Sequence, residues 1–84
     1  MTDKEINKAL HLDPNRASTY YNEANALHDL NLKEETLAAY EQAIQLAPRE
    51  ATLYYQKGQV LEQLGRLAEA RRAYDKAQDL GYEG

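Results

Sequence analysis

The chain repeats itself with a period of 34 residues. Residues 17–50 lie over residues 51–84 without a gap. Ten positions are identical: Ala17/Ala51, Tyr20/Tyr54, Tyr21/Tyr55, Leu27/Leu61, Leu30/Leu64, Glu35/Glu69, Ala39/Ala73, Tyr40/Tyr74, Ala43/Ala77 and Leu46/Leu80. A period of this length means one supersecondary unit stacked on copies of itself. It constrains the fold more than any other feature, because each unit must bury its apolar face against its neighbour.

The unit is helical. Asn31 and Gly65 are one period apart, and so are Pro14 and Pro48. Asn and Gly most readily take the left-handed conformation that ends a helix, and proline follows a helix that has closed. Between these marks lie segments of about 14 residues, each about 20 Å of helix. Apolar residues recur at helical spacing over about 2–12, 18–30, 33–46, 52–64 and 67–80, and no segment alternates with period two. The first carries Ile6, Ala9, Leu10 and Leu12. Leu30, Leu46, Leu67 and Leu80 are expected on the packed faces of the others. Short connections make consecutive helices antiparallel. The expected fold is all-α: five helices in an antiparallel helix-pair solenoid.

Small residues matter as much as large ones. Ala24 and Gly58 share a slot, as do Thr36 and Ala70, and small side chains there let helices approach closely. The seven tyrosines stand in a chain without Phe or Trp, six of them at equivalent places in the two copies. Tyrosine buries a ring but keeps a partner for its hydroxyl, which suits a thin, two-layer helical protein.

These residues resemble the tetratricopeptide repeat: an aromatic, a Leu-Gly pair and a Tyr in the first helix, then Ala, an aromatic and Ala in the second, then Pro. The second copy supplies Tyr54, Gly58, Leu61, Ala70, Tyr74 and Ala77. The first supplies Tyr20, Ala24, Leu27, Thr36, Tyr40, Ala43 and Pro48. A leading half-copy supplies Ile6, Ala9 and Pro14. The resemblance therefore divides the chain into a second-helix remnant over 1–16, a full repeat over 17–50, and a C-terminal, capping-like repeat over 51–84. Some positions depart from the pattern. Glu23 and Lys57 fill the leucine slot and are expected to meet in a surface ion pair. Lys33 and Leu32 are expected to shift the turn after Leu30. Tyr82 stands where proline closes the repeat.

The ends differ from the middle. Leu37 and Ile44 would touch a following repeat, and their counterparts are Arg71 and Gln78, as expected of an outer edge. In the remnant, Ile6 and Ala9 lack the helix they would pack on. Exposed apolar surface favours association, so homo-oligomerisation through the first helix, or continuation as a longer array, is expected.

The resemblance implies a concave groove, lined by first helices, that holds a peptide or a partner's helix. The positions carried over are Tyr21, Asn22, Asn25 and His28 with Tyr55, Gln56 and Gln59. Ser18, Asp29, Thr52, Glu62 and Gln63 flank them. Amides bond a peptide backbone in both directions, and tyrosines are enriched at hot spots. Asn22 and Asn25 also fit a structural role supporting helices. Tyr21, Thr52 and Gln56 stand where cations would complete a clamp for a C-terminal carboxylate, so that ligand is not expected.

Chemistry is not expected. His11 and His28 lie on different segments without a second histidine one turn away. With no cysteine there is neither a disulfide nor a thiolate metal site. No phosphate loop or nucleophile motif is present, and no metal or cofactor is expected. The net charge of -4 disfavours nucleic acid and anionic membrane. The apolar runs are too short to span a bilayer, and residues 1–8, of mixed charge and without an apolar stretch, are not expected to be a signal peptide. The expected compartment is the cytoplasm and the expected partner a protein or peptide.

Overall fold

The computed structural model describes residues 16–82. They form four helices: α1 (Arg16–Asp29), α2 (Lys33–Leu46), α3 (Ala51–Gln63) and α4 (Leu67–Asp79). Each packs on the next in chain order. The described residues thus hold four of the five expected helices. The expected segment 2–12, with Ile6, Ala9 and His11 and the association through it, lies outside them.

Turn chemistry sets the helix lengths. Asn31 has φ +61° and Gly65 has φ +76°. Around Asn31, its own N–H donates to His28 O at 2.9 Å and the Leu32 N–H donates to Leu27 O at 3.0 Å. Around Gly65, the same pair of bonds runs to Glu62 O at 3.0 Å and from Arg66 to Leu61 O at 2.9 Å. This paired closure satisfies the last free carbonyls of a helix. The pattern is identical in both repeats, so Leu32 and Lys33 do not shift the first turn. Asn31 reaches the left-handed conformation that glycine supplies at 65, and the side chain that follows has no say in it. The end of α2 is different: Pro48 has no N–H to continue the helix.

The core is small-residued. Ala24, Thr36, Ala43 and Leu53 are fully buried, joined by Leu37, Tyr40, Val60 and Leu61. Alanine and threonine at the contacts bring helix axes close, and the few large side chains fill what remains. Thr36 buries its hydroxyl without penalty by donating to Leu32 O at 2.8 Å. Leu37 is buried on α2, whereas its counterpart Arg71 on α4 is exposed. Gln78 is exposed too, while Ile44 is half-buried.

Several leucines depart from the expected faces. Leu30 and Leu67 are 69% and 63% exposed, and Leu46 is also exposed. All three lie at helix ends, beyond the stretch that a neighbouring helix covers. The expected ion pair is also rearranged. Lys57 Nζ lies 3.4 Å from Glu41 Oε2, across the α2–α3 contact, while Glu23 is exposed on α1. Because α3 packs on α2, the α2 carboxylate is within reach of the lysine.

Candidate functional site

Helix α3 presents Gln56, Gln59, Val60 and Gln63 along one face, spaced by three, four and seven residues. With His28 from the last turn of α1 and Tyr40 from α2, they line a cleft of about 270 Å³ between the repeats. The repeat period positions this cleft: α1 and α3 are the same helix one unit apart, and α2 packs on both. Three amides and an imidazole line it, and among the described residues no carboxylate, Lys or Arg does. Amides donate and accept at once, so the cleft can bond both halves of a peptide unit, while Val60 and Tyr40, each 2% exposed, belong to the core beneath it.

Tyr40 is 2% exposed. Its hydroxyl donates to Asn25 Oδ1 at 3.1 Å, and the Tyr21 ring lies 6.0 Å away, tilted by 59°. Burial, and then the neighbouring Tyr21, push the Tyr40 phenol well above the ordinary tyrosine range. It is thereby kept as a protonated donor at neutral pH.

The second repeat places the same ring differently. Tyr74 is half-buried and donates to Glu62 Oε1 at 2.7 Å. Its phenol is pushed up to about 12 by burial and then by the bond to Glu62. Tyr55 lies between Tyr74, at 5.4 Å, and Tyr82, stacked at 4.3 Å with the planes 15° apart. Tyr82 thus replaces the proline of the pattern with an aromatic lid.

The expected groove residues therefore divide. His28, Gln56 and Gln59 come together in the cleft, with Gln63 from the flanking set. Asn25 stands behind it, holding the Tyr40 hydroxyl. Tyr21 and Tyr55 pack against neighbouring rings rather than line the cleft. Asn22 is half-buried on α1 and does not line it. Ser18, expected on the rim, is buried. Tyr40, a residue of the repeat pattern, and Val60, which sequence reasoning left aside, also line the cleft, both from the core side. Val60 follows Gln56 by one turn, and that spacing was the available signal.

The tetratricopeptide repeat matches this chain twice, over residues 17–50 and over residues 51–81. The chain belongs to the tetratricopeptide repeat family. Neither the curated proteins nor the solved structures gave a match. Tetratricopeptide repeats are in general non-catalytic modules that bind proteins or peptides. The all-α helix-pair architecture described above is that of the family. Among the described residues, no group of three or more His, Cys, Asp or Glu is placed to hold a metal ion. No described helix is long and apolar enough to cross a membrane.

Proposed function

We propose that this tetratricopeptide chain is a non-catalytic scaffold that holds an extended, uncharged stretch of a partner protein in the cleft between α1 and α3. The observation that supports this is the convergence of Gln56, Gln59, Gln63 and His28 around Tyr40 and Val60. A backbone amide of the partner meets donors and acceptors together. Among the described residues the lining offers no Lys or Arg to a carboxylate, which argues against a free C-terminus as the anchor. Asn25 acts through Tyr40 by fixing its ring, and Tyr21 and Tyr55 act by supporting the walls.

The test is photo-crosslinking from a reactive residue at position 59. It is followed by synthesis of the captured segment and titration against wild type and Gln56→Ala/Gln59→Ala. Both glutamines are only partly exposed, so circular dichroism must show unchanged helicity. Loss of two neutral hydrogen bonds at about 1 kcal/mol each predicts roughly 30-fold weaker binding. Equal affinity for the double variant would remove the cleft as the binding site.

A further inference from the structure

The opposite face of α3 carries a second, smaller cleft of about 190 Å³. Tyr54, Lys57 and Leu61 of α3 line it together with Glu69, Arg72 and Lys76 of α4. Three cations and one carboxylate give it a net charge of +2, in a chain whose net charge is -4.

The fold does not require those cations. One period earlier, the positions of Lys57, Arg72 and Lys76 are Glu23, Ala38 and Gln42. The two repeats build the same helix pair with a carboxylate and two neutral residues there. The charge separation extends to the whole units. Residues 17–50 carry six carboxylates against Lys33 and Arg49, while residues 51–84 carry five of each sign. The full net charge thus falls in the first repeat, and this cleft is a local exception to it.

Two of its cations are not taken up by a salt bridge among the described residues. The one carboxylate in the lining, Glu69, is held by Arg66, which lies outside the cleft lining: the guanidinium donates to both carboxylate oxygens, at 3.0 and 2.8 Å. Lys57 has Glu41 at 3.4 Å. Arg72 and Lys76 hold no salt bridge among the described residues, and both are exposed. They are one turn apart on α4, so one anionic group can meet both.

We propose that this cleft is a second docking site, for an acidic peptide segment of a partner protein. A glutamate or aspartate of that segment enters between Arg72 and Lys76 and takes charge-assisted hydrogen bonds from both. Lys57, 3.4 Å from Glu41, borders the site and adds to its positive field. Tyr54 already donates its hydroxyl to Pro48 O at 2.8 Å, so it walls the cleft and leaves the anion to the cations. The site lies on the far side of α3 from the glutamine cleft, so one partner can occupy both or two partners one each.

The test is an amide chemical-shift titration of the full chain with hexaglutamate. Shifts should concentrate at 54–57, 69, 72 and 76, and leave 28, 59 and 63 unmoved. Arg72→Gln/Lys76→Gln, on exposed positions, should weaken binding about tenfold without loss of helicity. Raising the salt to 1 M should remove it, since the Debye length falls to about 3 Å. Equal affinity for the double variant, or the same shifts with hexalysine, would overturn the proposal. So would shifts centred on the glutamine cleft. Inorganic phosphate moving these amides as strongly as the peptide would replace the peptide assignment with a small-anion site. Because the readout separates the two faces of α3, failure here leaves the glutamine cleft untouched, and the reverse.

Discussion

Tyr40 and Tyr74 occupy the same position in two copies of one pattern, yet only Tyr40 is shut away from solvent. Tyr40 has a whole repeat stacked against it, and its hydroxyl turns to the neutral Asn25. Tyr74 has no described helix beyond it, and its hydroxyl turns to the charged Glu62. The difference shows how position in a stack, rather than local sequence, decides what a repeated residue does. An inner tyrosine is a core residue and an outer one is part of an edge. Tyr82 completes that edge by stacking on Tyr55 where the first copy has Pro48.

The largest effect should come from truncating the inner ring. Tyr40→Ala should cost about 3–5 kcal/mol in urea unfolding, by the usual cost of deleting a buried aromatic. Tyr74→Ala should cost about 2 kcal/mol, because part of that ring is already in water. Equal losses would mean that the two repeats contribute alike and that the stack does not distinguish them. The same asymmetry has a pH signature. Both phenols have folded values above the ordinary value near 10, so folding favours their neutral forms. That stability is present below about pH 10 and fades as the pH rises through the folded values. Phenolate absorbance should therefore lag behind free tyrosine and be released with loss of helicity.

Much of this was legible in the sequence. The period gave the four described helices to within two residues at each end, and Asn31 and Gly65 gave the turns. What was not legible depends on which neighbour a side chain meets. Lys57 and Glu23 share a slot, but the α2 carboxylate Glu41 is the nearer partner. Tyr21 and Tyr55 sit on the groove side of their helices by spacing. Ring contacts from elements 19 to 27 residues away draw them into the packing. Leu30 and Leu67 carry the right periodicity yet lie at helix ends, where no described neighbour covers them. Periodicity reports a face, and it does not report how far along the helix that face is covered.

The Ala24–Gly58 pair sharpens the comparison at the next level down. A Cβ on Gly58 would lie 2.7 Å from Tyr74 Cε1 and 2.8 Å from Cδ1, closer than any unstrained contact. At the equivalent place the first repeat buries an alanine completely. Glycine at 58 thus lets the outer ring lie directly on the α3 backbone. Exchanging the two residues separately tests this. Ala24→Gly loses helix propensity of about 1 kcal/mol and a buried methyl of about 0.8 kcal/mol, for close to 2 kcal/mol. Gly58→Ala regains the propensity but must displace Tyr74, at about 1–3 kcal/mol, leaving a net loss of about 1 kcal/mol. The displaced ring should also lose its bond to Glu62, which a fall in the Tyr74 titration midpoint would report. A stabilised Gly58→Ala would show that the ring moves freely and that the edge is loosely packed.

The smallest effect belongs to the link between the two turns. Arg66, just after the second turn, donates to Glu69 and also lies 3.8 Å from Glu34, just after the first. The bond to Arg66 holds the Glu69 carboxyl below its ordinary range. A lowered carboxyl contributes stability above its unfolded value near 4.3, and loses it as the pH falls through the folded value. All three side chains are well exposed, so water and salt screen the pair and its net worth is small. Arg66→Gln should therefore leave the unfolding midpoint at pH 7 almost unchanged, and any residual loss should disappear in 1 M salt or once the pH has fallen through the lowered Glu69 value. A loss that persisted under those conditions could not be electrostatic. It would mean that the aliphatic stem of Arg66 packs across the two turns, and that the repeats are joined at this edge by buried surface as well as by their helices.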